Sequence, residues 1–427
     1  MNLKTRLRST AMRYFASPGY AEKLRTKARR QRGNEPATVH YFHQVDDPYS
    51  HLAVQKLDQL RATYDLAFQP HLVCKPDPTY RGSADHFDQW AWRDARSVAA
   101  DYGTNFDPSN ETPGADLIIQ ANQALSGILH HETFAETAIE VGQALWSGQQ
   151  ISSTSDRQAA EKALDQGNAL RQKLGHYQGA MFYFEGEWFW GIDRLRLLEE
   201  RLTEEGFRNA DGPLCVPEPT PIDTSHMDCG NVLLEYFPSL RSPYTAIGHQ
   251  RVLDLIARSG VGVKVRPVMP MLMRGIPAPR EKQRYIITDS GREARAHGVP
   301  FGRIVDPFGE PVRRAFALFP GAAALGQELE YVTAYLRAAW FDGVDITNKA
   351  GLQRVADKAG IEWQALLEAT QNTDWQAILD DNLNTMLEAH LWGVPSFRVS
   401  GGNDKTPYAC WGQDRIWRVE NEIARRL

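Results

Sequence analysis

The sequence predicts an α/β protein in which one unit of somewhat under 200 residues occurs twice in tandem, and three ordered matches predict it. Tyr41-Phe42-His43-Gln44-Val45-Asp46-Asp47-Pro48-Tyr49-Ser50 aligns without a gap on Tyr236-Phe237-Pro238-Ser239-Leu240-Arg241-Ser242-Pro243-Tyr244-Thr245. Phe68-Gln69-Pro70 then matches Val265-Arg266-Pro267. Near the end of each copy, Trp190-Gly191-Ile192-Asp193-Arg194-Leu195 matches Trp411-Gly412-Gln413-Asp414-Arg415-Ile416. Self-similarity in one order along the chain is the mark of an internal repeat.

A chain of 427 residues exceeds one ordinary core. Its hydrophobic share of 42% and charged share of 24% are those of a globular protein. A net charge of -5 gives no case for nucleic-acid binding, and none is expected. Cys74, Cys215, Cys229 and Cys410 lie far apart, with neither a Cys-x-x-Cys pair nor zinc spacing. That excludes a dithiol centre and a structural metal, and points to a reducing compartment. No segment approaches the roughly 20 apolar residues of a membrane span. Lys4, Arg6, Arg8 and Arg13 break up any leader-like apolar run. A cytoplasmic location is therefore expected.

Residues 1–36 form a basic N-terminal arm with only Glu22 and Glu35 as acids. Leu3, Leu7, Met12, Tyr14 and Phe15 give it a weak apolar face, so membrane association is conceivable. An arm that packs on the body of the protein or stays solvated is the preferred reading.

The first copy, 37–208, reads in order as a strand over 39–42, a helix from Pro48 to Tyr64 and a strand over 66–73. Mostly helical sequence follows from Phe87 to Leu170, interrupted by a polar loop from Asn105 to Gly114. Met181–Phe184 and Trp188–Trp190 form a hairpin about Gly186, and a helix runs from Asp193 to Leu202. Pro213, Pro217, Pro219 and Pro221 mark 209–228 as a linker. The second copy, 229–427, opens with the apolar run Val232, Leu233, Leu234, Tyr236 and Phe237. After Thr245, Ile247, Val252, Leu255 and Ile256 recur at helical spacing. Further helices are expected over 331–340, 349–360 and 375–391, then a strand after Pro395. A βαβ unit followed much later by a hairpin and a helix is the order of a thioredoxin-like sheet with a helical insertion. The predicted fold is two such domains in tandem.

Ser242, followed by Pro243, stands at the start of the second copy's first helix. Free backbone N–H groups and the helix dipole favour an anion there. A serine hydroxyl can either cap the helix or donate to a ligand, and both readings stand. Pro395 at a strand start marks an edge or a cis bond. A cis bond would leave the Val394 backbone free for an extended, peptide-like ligand.

Ser242-Pro243-Tyr244-Thr245, Lys282 with Tyr285, Trp340-Phe341-Asp342-Gly343-Val344-Asp345-Ile346, Gly393-Val394-Pro395-Ser396-Phe397 and Trp411-Gly412-Gln413-Asp414-Arg415 carry a resemblance. They resemble the 2-hydroxychromene-2-carboxylate isomerase and kappa-class glutathione transferase family of the DsbA-like thioredoxin superfamily. The resemblance covers 231–427 and extends more weakly over 37–208. It implies a DsbA-type helical insertion in each domain and glutathione as cofactor. It further implies that Ser242 holds the glutathione thiolate and that Val394, before Pro395, pairs with the cysteinyl backbone. Gln413 and Asp414 match the pair that grips the γ-glutamyl end. Lys282 matches a ligand-lining lysine, although a solvated surface lysine reads equally well.

Two departures qualify this. Where the family carries an asparagine-bearing loop, this chain has Met273-Arg274-Gly275-Ile276-Pro277-Ala278-Pro279. Either Arg274 substitutes or glutathione binding is altered. In the first copy Asp47 replaces Ser242 and would repel a thiolate, and Met181 is read at the position of Pro395. That copy is expected to be a structural or regulatory partner without an active site, with Asp193 and Arg194 as simple helix-start residues.

The expected function is a glutathione-dependent isomerase or transferase acting on an electrophilic unsaturated carbonyl compound. A non-catalytic thiol- or small-molecule-binding protein of the same fold is the alternative. A DsbA-type oxidoreductase is disfavoured because neither copy has a cysteine at its helix start. The expected partners are a small-molecule substrate and either a second chain or the other copy, packed as a pseudo-dimer.

Overall fold

The structure is a computed structural model that describes residues 1–109, 112–152 and 155–427. Part of the loop expected from Asn105 to Gly114, residues 110 and 111, lies outside the described residues. The chain divides into two compact units. One, here the first unit, comprises Ala21–Pro219 and Pro279–Lys282. The other, the second unit, comprises Met1–Tyr20, Thr220–Ala278 and Gln283–Leu427.

The first unit is built on strands β1 (Thr38–His43), β2 (Ala67–Leu72), β3 (Met181–Phe184) and β4 (Glu187–Trp190), in the order β2-β1-β3-β4. β1 and β2 are parallel, whereas β1–β3 and β3–β4 are antiparallel. A parallel pair needs a crossover. Instead of the single helix expected from Pro48 to Tyr64, two short ones provide it, Pro48–Val54 and Leu57–Thr63. The break falls where the Gln55 side chain turns to the Asn105 backbone, accepting from its N–H at 2.8 Å and donating to its carbonyl at 2.9 Å.

The second unit repeats the plan with β5 (Val232–Phe237), β6 (Gly262–Val265), β7 (Ser396–Gly401) and β8 (Tyr408–Trp411), in the order β6-β5-β7-β8. Here the crossover is one helix, Pro243–Ser259, with Ala246, Ile247, Val252 and Leu255 buried on its core side. The central strands match in detail. Tyr41 stacks on Phe182 at 4.6 Å, and Tyr236 stacks on Phe397 at 5.5 Å. Tyr49 donates to Asp94 at 2.7 Å, and Tyr244 donates to Asp289 at 2.9 Å.

Sheet register corrects one assignment. Met181 pairs with Phe42 and Trp190, as Ser396 pairs with Phe237 and Trp411. The residue that corresponds to Pro395 is therefore Ala180, not Met181. The backbone agrees, since Gly191 N–H donates to the Ala180 carbonyl at 2.8 Å and Gly412 N–H to the Pro395 carbonyl at 2.9 Å. The one-residue slip arises because the two hairpins turn differently, through residues 185 and 186 in one and 402–407 in the other.

Between second and third strands each unit inserts helices. In the first they include Ala84–Val98, Ala115–Ser126, Phe134–Trp146 and Arg157–Leu174. In the second, Glu328–Leu336 runs into a π-helical turn, Arg337–Asp342, flanked by Glu310–Ala324 and Lys349–Lys358. Tyr331, Tyr335 and Trp340 of this block are among the largest fully buried side chains.

The N-terminal arm is not one body. Its first helix, Leu3–Ala16, packs within the second unit, where Ser9 Oγ accepts from the Asp306 N–H at 2.9 Å and Arg13 Nε donates to the Ile304 carbonyl at 2.7 Å. It buries Thr5, Ser9 and Ala16 and leaves Leu3 and Leu7 exposed. Arginines of the next helix, Pro18–Arg32, neutralise first-unit acids. Arg25 meets Glu187 at 2.7 Å, and Arg29 and Arg32 meet Glu185 at 2.8 and 2.9 Å. Among the described residues no helix is long and apolar enough to cross a membrane.

Candidate functional site

Ser242 leaves β5 through a short loop and caps the Pro243–Ser259 helix. Its backbone is extended, its Oγ accepts from the Thr245 N–H at 3.1 Å, and Pro243 occupies the first helical position. The same Oγ donates to the Val394 carbonyl at 3.3 Å. The hydroxyl is thus both a cap and a donor, and the donated bond is at the long end of O–H···O geometry. The Val394–Pro395 bond is cis. Of the two Val394 backbone groups expected to be free, the carbonyl is taken by Ser242, and the N–H has no hydrogen-bond partner among the described residues.

The loop before Ser242 is fixed from behind. Trp340 Nε1 donates to the Leu240 carbonyl at 3.3 Å, tying the helical insertion to the helix start. Arg241 pairs with the fully buried Asp306 at 2.7 Å and lies 4.7 Å from the Phe308 ring centroid. Arg8 meets the same carboxylate at 3.1 Å, and Ser9 takes the Asp306 N–H. A buried carboxylate needs such partners. Sequence reasoning missed Asp306, Arg8 and Ser9, because pairings so far apart along the chain leave no local pattern.

Gln413 does not present a free amide. It is 1% exposed, its oxygen accepts from Arg251, and its nitrogen donates to Glu293 at 2.9 Å and to Asp414. Asp414 is half-buried beside it. Arg274 is the opposite case. Its Nη2 donates to the Trp392 carbonyl at 2.7 Å, and among the described residues Nε has no partner and no carboxylate pairs with it. Burial lowers its pKa to about 10. Arg274 is therefore an uncompensated cation held on the segment that leads into Val394 and Pro395.

Lys282 belongs to the first unit, where its Nζ donates to the Tyr80 carbonyl at 2.8 Å and burial lowers its pKa to about 8. In the first unit Asp47 stands where Ser242 stands, capping Pro48–Val54 through Tyr49 and Ser50 N–H groups. Ser50 Oγ donates to it at 2.8 Å. Burial pushes its pKa up to about 7, against the Ser50 bond, which lowers it. Gly179 and Ala180 replace Val394 and Pro395, and the Ala180 N–H is taken by Ser50 Oγ at 2.9 Å. None of the four cysteines is in a disulfide, and none stands at either helix start.

Comparison with known proteins bears on the fold. A family model described as a DSBA-like thioredoxin domain matches residues 233–424, a little under half of the chain. Among solved structures, a putative protein disulfide isomerase from Nitrosomonas europaea aligns at 16% identity over 44% of this chain and 96% of its own, with a TM-score of 0.37. A 2-hydroxychromene-2-carboxylate isomerase aligns at 20% identity over 45% and 95%, with a TM-score of 0.36. The cytosolic disulfide reductase DsbM from Pseudomonas aeruginosa aligns at 20% identity over 45% and 98%, with a TM-score of 0.35. A search of curated proteins gave no match. Residues 233–424 form a DsbA-like thioredoxin domain in which serine, not cysteine, caps the first helix.

Proposed function

We propose that the second unit is a glutathione-dependent isomerase or transferase acting on an electrophilic unsaturated carbonyl compound. The observation that carries this reading is the Ser242 hydroxyl, held at a helix N-terminus with its hydrogen on a 3.3 Å bond to Val394. That hydrogen can turn to a thiolate, and the helix end favours the negative charge. Glutathione, when bound, supplies the sulfur nucleophile that adds to the unsaturated carbon and, in isomerisation, leaves again after rotation about the bond between. Ser242 steadies the sulfur in its anionic form on entry and departure. Releasing the Val394 carbonyl gives the backbone of Val394 both an acceptor and a donor for an extended ligand.

The remaining residues fit such a ligand with a changed set of anchors. Arg274, lacking a carboxylate of its own, supports the idea that it receives a ligand carboxylate in place of the absent loop asparagine. Gln413 acts through Asp414, which it orients. A cytoplasmic setting, where glutathione is reduced, belongs to the same proposal. Calorimetric titration of the full chain with glutathione tests it. Saturable binding that is lost in Ser242→Ala is expected, and no saturable binding by the wild type refutes it.

A second reading rests on the engaged state of Gln413 and of the Val394 carbonyl. Both favour a protein of the same fold that binds a thiol or small molecule without turnover. Binding without consumption of any enone offered with glutathione would select it. The matching strand order and the paired Tyr49–Asp94 and Tyr244–Asp289 bonds support a tandem duplication as the origin of the two units.

A further inference from the structure

The Leu3–Ala16 helix packs on the second unit through Thr5, Ser9 and Ala16, which are buried, with Met12 and Phe15 partly buried against the core beside them. Its other side is apolar and open. Leu3, Leu7 and Tyr14 are 71%, 62% and 42% exposed. Among the described residues no large hydrophobic side chain outside residues 1–14 exceeds 46%, so these leucines stand apart from the ordinary scatter of apolar surface.

Helical spacing makes one stripe of them. At about 100° per residue, Leu3, Leu7 and Tyr14 fall within a single narrow arc, on the side of the helix away from Thr5, Ser9 and Ala16. Lys4 and Arg6 stand roughly 80° to either side of the stripe. Both are exposed, and neither pairs with a carboxylate among the described residues. Residues 1–21 contain no Asp or Glu. Arg8 and Arg13 are turned to the body of the unit, to Asp306 and to the Ile304 carbonyl.

Shape and charge select what covers this face. A helix lying in the plane of a bilayer buries its apolar stripe ~5–10 Å into the head-group boundary. Flanking lysine and arginine stems then reach back to anionic head groups, and a tyrosine ring is suited to the same level. A second copy of the chain fits less well. A two-fold contact would set Lys4 and Arg6 against their own counterparts, and a stripe of Leu3, Leu7 and Tyr14 falls short of the ~800 Å² per partner of a stable interface.

We propose that this face of the Leu3–Ala16 helix docks on the surface of an anionic lipid bilayer, with Leu3, Leu7 and Tyr14 inserted and Lys4 and Arg6 on the head groups. The helix lies on the membrane without crossing it. The docking does not depend on Ser242 or on thiol binding.

The test is co-sedimentation of the full chain with vesicles of equal parts phosphatidylcholine and phosphatidylglycerol and, separately, of phosphatidylcholine alone. Binding to the mixed vesicles should be at least about tenfold tighter than to the neutral ones and should weaken as salt rises. Lys4→Gln with Arg6→Gln should remove that preference, and Leu3→Ser with Leu7→Ser should weaken binding to the mixed vesicles by at least about tenfold. All four side chains are exposed, so the urea midpoint of each variant should equal that of the wild type, which separates a lost surface from a lost fold. No binding to the mixed vesicles, equal binding to the neutral ones, or undiminished binding after Leu3→Ser with Leu7→Ser overturns the proposal. A dimer in sedimentation equilibrium that the leucine substitutions dissolve also overturns it, by assigning the face to a second copy.

Discussion

Asp47 and Ser242 occupy the same place in two sheets of matching strand order, each capping the helix that follows the first strand ahead of a proline. Around Asp47 the capping groups are engaged with one another. Ser50 serves both the carboxylate and the Ala180 N–H, and Ala180 stands where the second unit has a cis proline. Around Ser242 the bonds are looser, with a 3.3 Å contact to Val394 and an Arg274 that lacks a counter-ion. Both units thus keep the helix cap, but the second sets beside it a hydroxyl donated on a long bond and an arginine with no carboxylate partner among the described residues. What distinguishes the second helix start is the hydroxyl it donates to the Val394 carbonyl, more than the cap itself, which both units share.

The sharpest way to break this contrast is to exchange the two caps. Ser242→Asp keeps the helix cap and sets a carboxylate against the thiolate, so glutathione binding measured by calorimetry should be abolished. The reciprocal Asp47→Ser should gain none, because the Val394 and Pro395 counterparts are Gly179 and Ala180.

Acid should next separate the two units. His43, His71 and His176 are pushed down to about 3 and His51 to about 4, in each case chiefly by burial, whereas the second unit has His249, at about 4. A histidine whose folded pKa is depressed binds its proton more readily unfolded. Its contribution is therefore complete above about 6.5 and is lost as pH falls toward the folded value. Asp47 has the opposite sign: its raised folded pKa makes the native state relatively more stable as pH falls from about 7 toward 4. Four histidines outweigh one carboxyl. Hydrogen exchange at about pH 4.5 should show first-unit amides opening before those of the second, and simultaneous opening would contradict this.

A packing change should matter less but remain readable. Gly393 lies against the Trp411 ring so closely that a Cβ would stand 2.3 Å from it. Gly393→Ala should destabilise the second unit by ~1–3 kcal/mol through overpacking, seen as a lower urea midpoint. Smallest of all, Arg274→Met should raise the glutathione dissociation constant by about tenfold, or ~1.4 kcal/mol, while leaving the urea midpoint unchanged.

Much of this was legible in the sequence. The Ser242-Pro243 pair announced a capped helix start, and the repeated Trp-Gly-x-Asp-Arg motif placed the hairpin and last helix of both copies. Those signals are local, and local physics fixes them. The Met181 assignment failed because register depends on hairpin turn length, which a motif match does not measure. The break of the helix from Pro48 at Gln55, where the side chain bonds the distant Asn105 backbone, has no signal in the local sequence. The engagement of Gln413 by Arg251 and Glu293, and the support of Arg241 through Asp306, are long-range pairings that no spacing in the sequence foretells.

The most direct measurement is the ultraviolet thiolate absorbance of glutathione mixed with the full chain, followed as a function of pH. With wild-type protein the thiolate should appear well below the pH at which free glutathione ionises, and Ser242→Ala should return it to the ordinary value. An unchanged glutathione ionisation with wild type, or the same lowered value in Ser242→Ala, would contradict a thiolate site at this helix.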